Sequence, residues 1–172
     1  MYLLEGVRSE RLTFRKIRAD DFNAWLPFYQ NPESTQYWNG SPKHPIKACQ
    51  EYFERTFERY ATNLGGMNGL VHKECGQLVG MCGLLIQAVD GISALEIGYS
   101  ILPEYWRQGF AFEAASKCKE FAFVNKLSKS LISIIHIENL PSQKVAVKNG
   151  MVIDKTTYYK DNSVYIYRVT AS

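Results

Sequence analysis

A turn centred on Gly109 is the part of this sequence best suited to chemistry, because it joins a strand-like run to a helical one. Gly109 and Ala111 keep side-chain bulk away from the backbone where the helix begins. The amides of residues 108–112 therefore lack intrahelical acceptors and point outward together. A turn of this kind is typical of an anion-binding site, and a phosphate group is its usual ligand.

A second segment that suits ligand binding begins at Asn139 and runs through Ser142 to Gly150. The short polar side chain of Asn139 fits the N-cap of a helix. Pro141 is tolerated in the first turn, because that turn needs no amide donor from it. Asn139 and Ser142 can therefore form a plain helix start, bind a ligand there, or do both.

Together, these two segments resemble the cofactor-binding motifs of the GNAT acetyltransferase superfamily. Trp106-x-x-Gly109-x-Ala111 is similar to its pyrophosphate-binding loop, and Asn139-x-x-Ser142 followed by Gly150-Met151 is similar to its second cofactor segment. Trp106 stands where most members carry Gln or Arg. With Leu-Pro-Glu before it and Glu-Ala after it, this Trp looks like the RimJ/RimL-like branch, which acetylates protein N-termini.

The resemblance implies acetyl-coenzyme A as the co-substrate. In this superfamily the pantetheine arm lies between two diverging strands, here residues 96–101 and 131–137, whose unpaired backbone groups bond its amides. Arg107, Lys144 and Lys148 are candidates for screening the phosphates, although solvated surface charges are an equally good interpretation. The cofactor-binding residues expected on this basis are Ser100, Ile101, Arg107, Gln108, Gly109, Phe110, Ala111, Phe112, Asn139 and Ser142.

Glu96 is the candidate general base. An aliphatic ammonium has a pKa of about 10 and a free α-amino group about 8, so an attacking amine must lose a proton. In the alternating strand 94–101, Glu96 shares its face with Ala94, Gly98 and Ser100, which leave room for a substrate or a water. The carboxylate can accept the proton directly or through that water, and related enzymes often place an acid on the same strand. A solvent-facing or salt-bridged glutamate is the alternative.

The general acid is less evident. Many members of the superfamily use a Tyr at the position of Ala146, so that acid is absent here. Ser142, near the place where the thiol should emerge, can protonate or hydrogen-bond the thiolate instead, as proposed for the RimJ/RimL-like branch. A coenzyme A thiol has a pKa of about 8.5, so a strong acid is not essential. Plain capping of the helix is the alternative role of Ser142.

The acceptor site is expected around the loop after the first helix, which walls the acceptor side of the cleft in this family. Tyr37, Trp38, Asn39 and Tyr99 are the predicted substrate-binding residues, whereas Trp25 is expected to pack in the core. The leading acceptor is a protein or peptide N-terminal α-amine, followed by a small-molecule amine, attacked directly in a ternary complex. The alternative, favoured by the missing Tyr, is a non-catalytic acyl-CoA sensor or interaction module.

Hydrophobic periodicity predicts the elements that position these residues. Their order, β-α-α-β-β-β-α-β-α-β-β, predicts an α/β (α+β) protein with the GNAT fold. Its sheet should be mixed, mostly antiparallel and six- to seven-stranded, with helices on both faces and one parallel β-α-β crossover. The predicted strands are residues 12–17, 69–73, 78–86, 94–101, 131–137, 152–159 and 164–170, and the helices begin at residues 19, 46, 110 and 140.

Composition narrows the class of protein further. The 172 residues fit a single domain spanning 1–172. A net charge of +3 without a basic stripe argues against direct nucleic-acid binding, and no apolar run is long enough to span a membrane, so we expect a cytoplasmic monomer or homodimer. Scattered histidines predict no metal site, and four cysteines without Cys-x-x-Cys spacing are expected to be reduced. The Gly-x-Gly-x-x-Gly pattern of a Rossmann domain is missing.

Overall fold

Within residues 1–171, the part of the chain that the computed structural model describes, seven strands form one mixed sheet. Their spatial order is β1-β2-β3-β4-β5-β7-β6, and every neighbouring pair is antiparallel except β4 and β5. The strands are β1 Leu12–Lys16, β2 Gly65–His72, β3 Leu78–Val89, β4 Ile92–Ile101, β5 Ser130–His136, β6 Val152–Tyr159 and β7 Asn162–Thr170. The predicted mixed sheet with one parallel pair is confirmed.

Helices cover both faces of this sheet, as predicted. They are α1 Phe22–Gln30, α2 Pro32–Thr35, α3 Pro45–Ala61, α4 Phe110–Val124 and α5 Leu140–Lys148. The short helix α2 lies in a segment that the sequence analysis assigned to a loop. It forms because Asn31 caps it, accepting a hydrogen bond from the Glu33 amide at 2.9 Å, and Pro32 supplies a helical φ without needing a donor partner.

The two faces of β4 belong to different parts of the core. Leu95 and Ile97 pack in one buried cluster with Ala114, Ala115 and other small residues of α4, which let the helix approach the sheet closely. On the opposite face of the sheet, α1 and α3 pack on β2 and β3 through a second cluster that includes Trp25, Phe53, Met67 and Met81. Glu96 alternates with Leu95 and Ile97 and so lies on the α1 and α3 face.

Strand β2 begins earlier than predicted, at Gly65 instead of residue 69. The run Gly-Gly-Met-Asn lacks the β-branched and aromatic residues that usually mark a strand. Close packing explains the glycines here, since a Cβ on Gly65 would lie 2.1 Å from the Leu84 carbonyl oxygen, and one on Gly83 would lie 2.0 Å from that of Gly66. Tertiary contact, which local propensity does not report, therefore determines the start of β2.

The connection from β4 through α4 to β5 is the parallel crossover, so the predicted anion-binding turn follows directly after β4. Helix α5 ends at Lys148, and Gly150 just beyond it has a left-handed conformation with φ +82°. Lys119 donates from Nζ to the Asn149 carbonyl at 2.7 Å and fixes this end of α5 against α4. Among the helices of residues 1–171, none combines the length and the apolar character needed to cross a membrane.

Candidate active site

The centre of the candidate site is a fork between β4 and β5. These parallel strands pair at a single register position, Glu96 with Ile132. Beyond it, β4 stays paired with β3 as far as Ile101, and β5 stays paired with β7 as far as His136. Each strand thus keeps its outer partner and loses its inner one, and the sheet opens into a cleft, as the resemblance implied.

Side chains take over some of the backbone groups that the missing ladder would have paired. The Ser133 hydroxyl, 2% exposed, donates to the Ile97 carbonyl at 2.8 Å. The Ile134 amide lies near the Glu96 carboxylate and lowers its pKa. The Ile97 carbonyl is therefore paired although the ladder between β4 and β5 has ended.

Glu96 is half-buried at the point where the strands separate. Gln87 of β3 donates from Nε2 to Glu96 Oε2 at 2.8 Å. Burial raises the pKa of Glu96, and the hydrogen bonds from Gln87 and Ile134 and the positive charges of Lys160 and Arg59 only partly oppose that rise. A carboxylate with a raised pKa in a cleft is a suitable general base.

The turn after β4 has the conformation expected of an anion-binding site. Arg107 and Gly109 have positive φ values of 60° and 84°. The first amide with a helical partner is that of Glu113, which donates to the Gly109 carbonyl at 3.1 Å. The amides of residues 110–112 precede that bond and have no helical acceptor. A cavity of about 390 Å³ opens at Gly109 and Phe112, and its rim includes Lys148, whose Nζ lies 4.2 Å from the Phe112 ring centroid.

Trp106 fastens this turn to the end of β4. Its indole Nε1 donates to the Ile101 carbonyl at 2.7 Å. Unpaired backbone groups were expected around Ile101, but the Ile101 carbonyl is occupied by the Trp106 side chain. The Leu102 amide donates to the Val79 carbonyl of β3 at 3.0 Å. The backbone groups of successive residues in a strand point to alternate neighbours, so those of Tyr99 and Ile101 face the fork.

Helix α5 begins beside the fork. The Asn139 side chain is its N-cap, with Oδ1 accepting from the Ser142 amide at 3.1 Å, as the capping interpretation predicted. The Tyr99 hydroxyl crosses from β4 and donates to the Ser142 carbonyl at 2.8 Å. Among residues 1–171 the Ser142 hydroxyl itself has no hydrogen-bond partner. Ala146 is buried in the core, and its methyl side chain supplies no acid to the cleft.

The loop after α2 reaches the far side of the fork. The Tyr37 ring centroid lies 5.7 Å from that of His136 at the end of β5. Asn39 accepts from the Asn162 side chain of the β6–β7 turn at 3.3 Å, and Trp38 is 41% exposed. This loop approaches β5 from the helical layer of α1 and α3, the layer that covers the face of β4 carrying Glu96.

The structure brings most of the predicted site residues together but separates Tyr99 from the other predicted substrate-binding residues. Ser100 lies on the Glu96 face of β4, opposite Met81. Tyr99 lies on the α4 face, away from Tyr37 and the rest of the predicted acceptor group. Trp25 is 1% exposed and stacks on Phe28, as expected for a core residue.

Several residues that complete the site were not predicted from the sequence. Gln87 and Ser133 are polar side chains in largely apolar strands, and that contrast could have marked them. Arg11 contacts the anion-binding turn through Gln108, 97 positions away. No local pattern indicates a contact at that separation.

Comparison with known proteins gives the class of the chain. The sequence profile of the acetyltransferase (GNAT) domain matches residues 11–152. The chain therefore belongs to the GNAT acetyltransferase family and is an acyltransferase. The fork, the turn after β4 and the cap of α5 all lie within the matched residues.

Individual relatives agree with this assignment. Uncharacterized N-acetyltransferase p20 of Bacillus licheniformis is 27% identical over 159 residues, which cover 92% of this chain and 87% of the relative. An acetyltransferase from Agrobacterium tumefaciens has the same fold, with a TM-score of 0.81, 24% identity and coverage of 96% of this chain and 94% of that one. RimL, a ribosomal L7/L12 α-N-protein acetyltransferase in complex with coenzyme A, also has this fold. Its TM-score is 0.75 and its identity is 13%, with coverage of 96% of this chain and 97% of that one.

Proposed function

We propose that this protein transfers the acetyl group of acetyl-CoA to a primary amine by direct attack in a ternary complex, with a protein or peptide N-terminal α-amine as the leading acceptor. The observation that carries the proposal is the fork at Glu96, where a half-buried carboxylate stands beside an open, strand-lined cleft. The anion-binding turn lies at the end of the same strand.

In this proposal β4 binds the co-substrate much as another strand would. The backbone groups of Tyr99 and the Ile101 amide hydrogen-bond the amides of pantetheine. The amides of residues 108–112 bind the diphosphate, and Arg107, Lys144 and Lys148 add positive charge nearby. Asn139 and Ser142 at the start of α5 border the arm on its other side. The backbone amides that face the fork polarise the thioester carbonyl.

Glu96 accepts the proton of the attacking amine, directly or through one water. The amine nitrogen forms a bond to the thioester carbon, and collapse of the resulting tetrahedral centre breaks the carbon–sulfur bond. The products are an amide and a thiolate. The Ser142 hydroxyl can donate a hydrogen bond to that thiolate, or pass it a proton that the hydroxyl regains from solvent. No stronger acid is needed, because the pKa of the coenzyme A thiol is about 8.5.

The acceptor enters beside the loop that carries Tyr37, Trp38 and Asn39. A similar structure belongs to an enzyme whose acceptor is a protein α-amine, which supports the same class of acceptor here. An α-amine is also the easier nucleophile at neutral pH, because its pKa is about 8 whereas that of an alkylamine is about 10. The Tyr99 hydroxyl bonds α5 and not the acceptor loop, so we assign Tyr99 to the side of the cleft that binds the co-substrate.

Binding and turnover test the proposal together. Acetyl-CoA at a hundred times its dissociation constant should raise the unfolding free energy by about 2.7 kcal/mol, which a thermal melt detects. Free thiol released with a panel of N-terminal peptides and small amines, with the acetylated products identified by mass spectrometry, measures transfer. Absence of any binding would reject the proposal, whereas binding without transfer to any acceptor would favour the sensor alternative.

A further inference from the structure

The negative charge of Glu113 is unfavourable beside a turn that binds phosphate. It lies in the first turn of α4, one residue after the amides of residues 110–112 that have no helical acceptor. A carboxylate there is attracted to the same free amides and to the positive end of the helix dipole. Left free, it would compete with the diphosphate and repel it.

Within residues 1–171, the Glu113 carboxylate hydrogen-bonds Ser9 and Arg11 and none of those amides. Glu113 Oε1 accepts from the Ser9 hydroxyl at 2.6 Å and from the Arg11 amide at 2.7 Å, and Oε2 accepts from Arg11 Nε at 2.7 Å. The Glu113 side chain is only 13% exposed. Its hydrogen-bonding capacity is thus taken up by the segment that leads into β1.

Arg11 also contacts the turn on the other side of Gly109. Its Nη1 donates to the Gln108 carbonyl at 2.9 Å, and its guanidinium carbon lies 4.2 Å from the Phe110 ring centroid. Burial raises the pKa of Glu113, but the hydrogen bonds from Ser9 and Arg11 outweigh it, and the pKa falls below its usual value. Glu113 is therefore ionised at neutral pH and needs a neutralising partner.

We infer that Arg11 is a positioning residue of the phosphate-binding turn, which neutralises the Glu113 carboxylate and holds it away from the amides that bind the diphosphate. This inference rests on the proposed function. It gives Arg11 an indirect role in cofactor affinity.

Calorimetric titration of coenzyme A and of pantetheine, which lacks the diphosphate, into four proteins tests the inference. The proteins are the wild type, Arg11→Gln, Glu113→Gln and the double variant Arg11→Gln/Glu113→Gln. Arg11→Gln should weaken coenzyme A binding by about tenfold or more, because it exposes a negative charge beside a diphosphate. It should leave pantetheine binding unchanged. Arg8→Gln, which removes an exposed arginine nearby, is the matched control and should bind both ligands as the wild type does.

The double variant separates this role from a purely structural one. Without the Glu113 charge the loss of Arg11 should matter little, so the double variant should bind coenzyme A within about threefold of Glu113→Gln alone. A double variant as weak as Arg11→Gln, or weaker, would overturn the inference, as would wild-type affinity in Arg11→Gln. If Arg11→Gln does not fold, the comparison of the double variant with Glu113→Gln remains decisive. Failure of the wild type to bind coenzyme A would instead reject the proposed function.

Discussion

At the residue scale, the environment of Glu96 suits a group that must take up a proton and release it again. Burial favours the protonated form, while Gln87, the Ile134 amide and the charges of Lys160 and Arg59 favour the ionised form. The Gln87 side chain is the one of these that contacts Oε2 directly, at 2.8 Å. Gln87 therefore tunes the basicity of Glu96 and takes up no proton itself in the proposed mechanism.

Replacing Gln87 should move the pH dependence of turnover. Gln87→Leu removes a donor that lowers the pKa of Glu96, so that pKa rises further and the acid limb of kcat/KM shifts to higher pH. The pH profile of thiol release measures this shift, and Gln50→Leu on the exposed face of α3 is the control. An acid limb at the wild-type position would show that Gln87 does not act on the base.

At the element scale, two side-chain contacts join elements that border the cleft. Tyr99 joins β4 to α5 over the fork, and Arg15 joins the end of β1 to the turn before α1. Arg15 donates from both Nη atoms to Asp21, each at 2.7 Å, and the Arg18 amide adds a third bond at 2.8 Å. Both contacts fix the layers that border the cleft.

Tyr99→Phe should weaken the connection across the fork. It removes the Tyr99 hydroxyl bond to the Ser142 carbonyl, which should lower the free energy of unfolding by about 0.5–1.5 kcal/mol and weaken acetyl-CoA binding. Urea denaturation and calorimetry measure the two effects. Tyr158→Phe, which alters a side chain that is 76% exposed, should change neither. Equal unfolding free energies for Tyr99→Phe and the wild type would contradict the assigned role.

Asp21→Asn should destabilise the fold in a pH-dependent way. Burial raises the pKa of Asp21, but its bonds to Arg15 and the Arg18 amide outweigh burial, and the folded pKa lies below the unfolded one. Its contribution to stability is therefore complete above the unfolded pKa, about 3.9, and is lost as pH falls through the folded pKa.

At neutral pH we expect Asp21→Asn to lower the unfolding free energy by about 1–3 kcal/mol relative to the wild type, with a smaller difference at acidic pH. Urea titrations at the two pH values provide the comparison, with the exposed Asp20→Asn as control. A difference that stays constant with pH would show that the charge of Asp21 is not responsible.

At the scale of the whole molecule, the sequence predicted those features that depend on local pattern. The strand alternation around Glu96, the glycine turn and the Asn139 cap all appear where they were expected. The start of β2 at Gly65 and the helix α2 were not predicted, because close backbone packing and a single capped turn leave weak periodicity. The contacts of Arg11, Gln87 and Ser133 depend on which strands become neighbours, and that information is tertiary.

The molecule as a whole is organised around one interruption of its sheet. Strand β3 on one side and β7 on the other provide continuous pairing, so β4 and β5 can separate without loss of the core. Helix α4 connects the two halves and brings the anion-binding turn to the end of β4. Arg11 and the loop at Tyr37 then reach this centre from the N-terminal elements.

In the proposed mechanism, Glu96 is the base of an acetyl transfer at the fork. The most direct measurement is the rate of thiol release from acetyl-CoA with an accepted peptide, for Glu96→Gln and the wild type, beside calorimetric titration of coenzyme A into both. We predict that Glu96→Gln lowers kcat by about a hundredfold or more and leaves the dissociation constant of coenzyme A unchanged. Wild-type turnover by Glu96→Gln across the pH range would contradict the account.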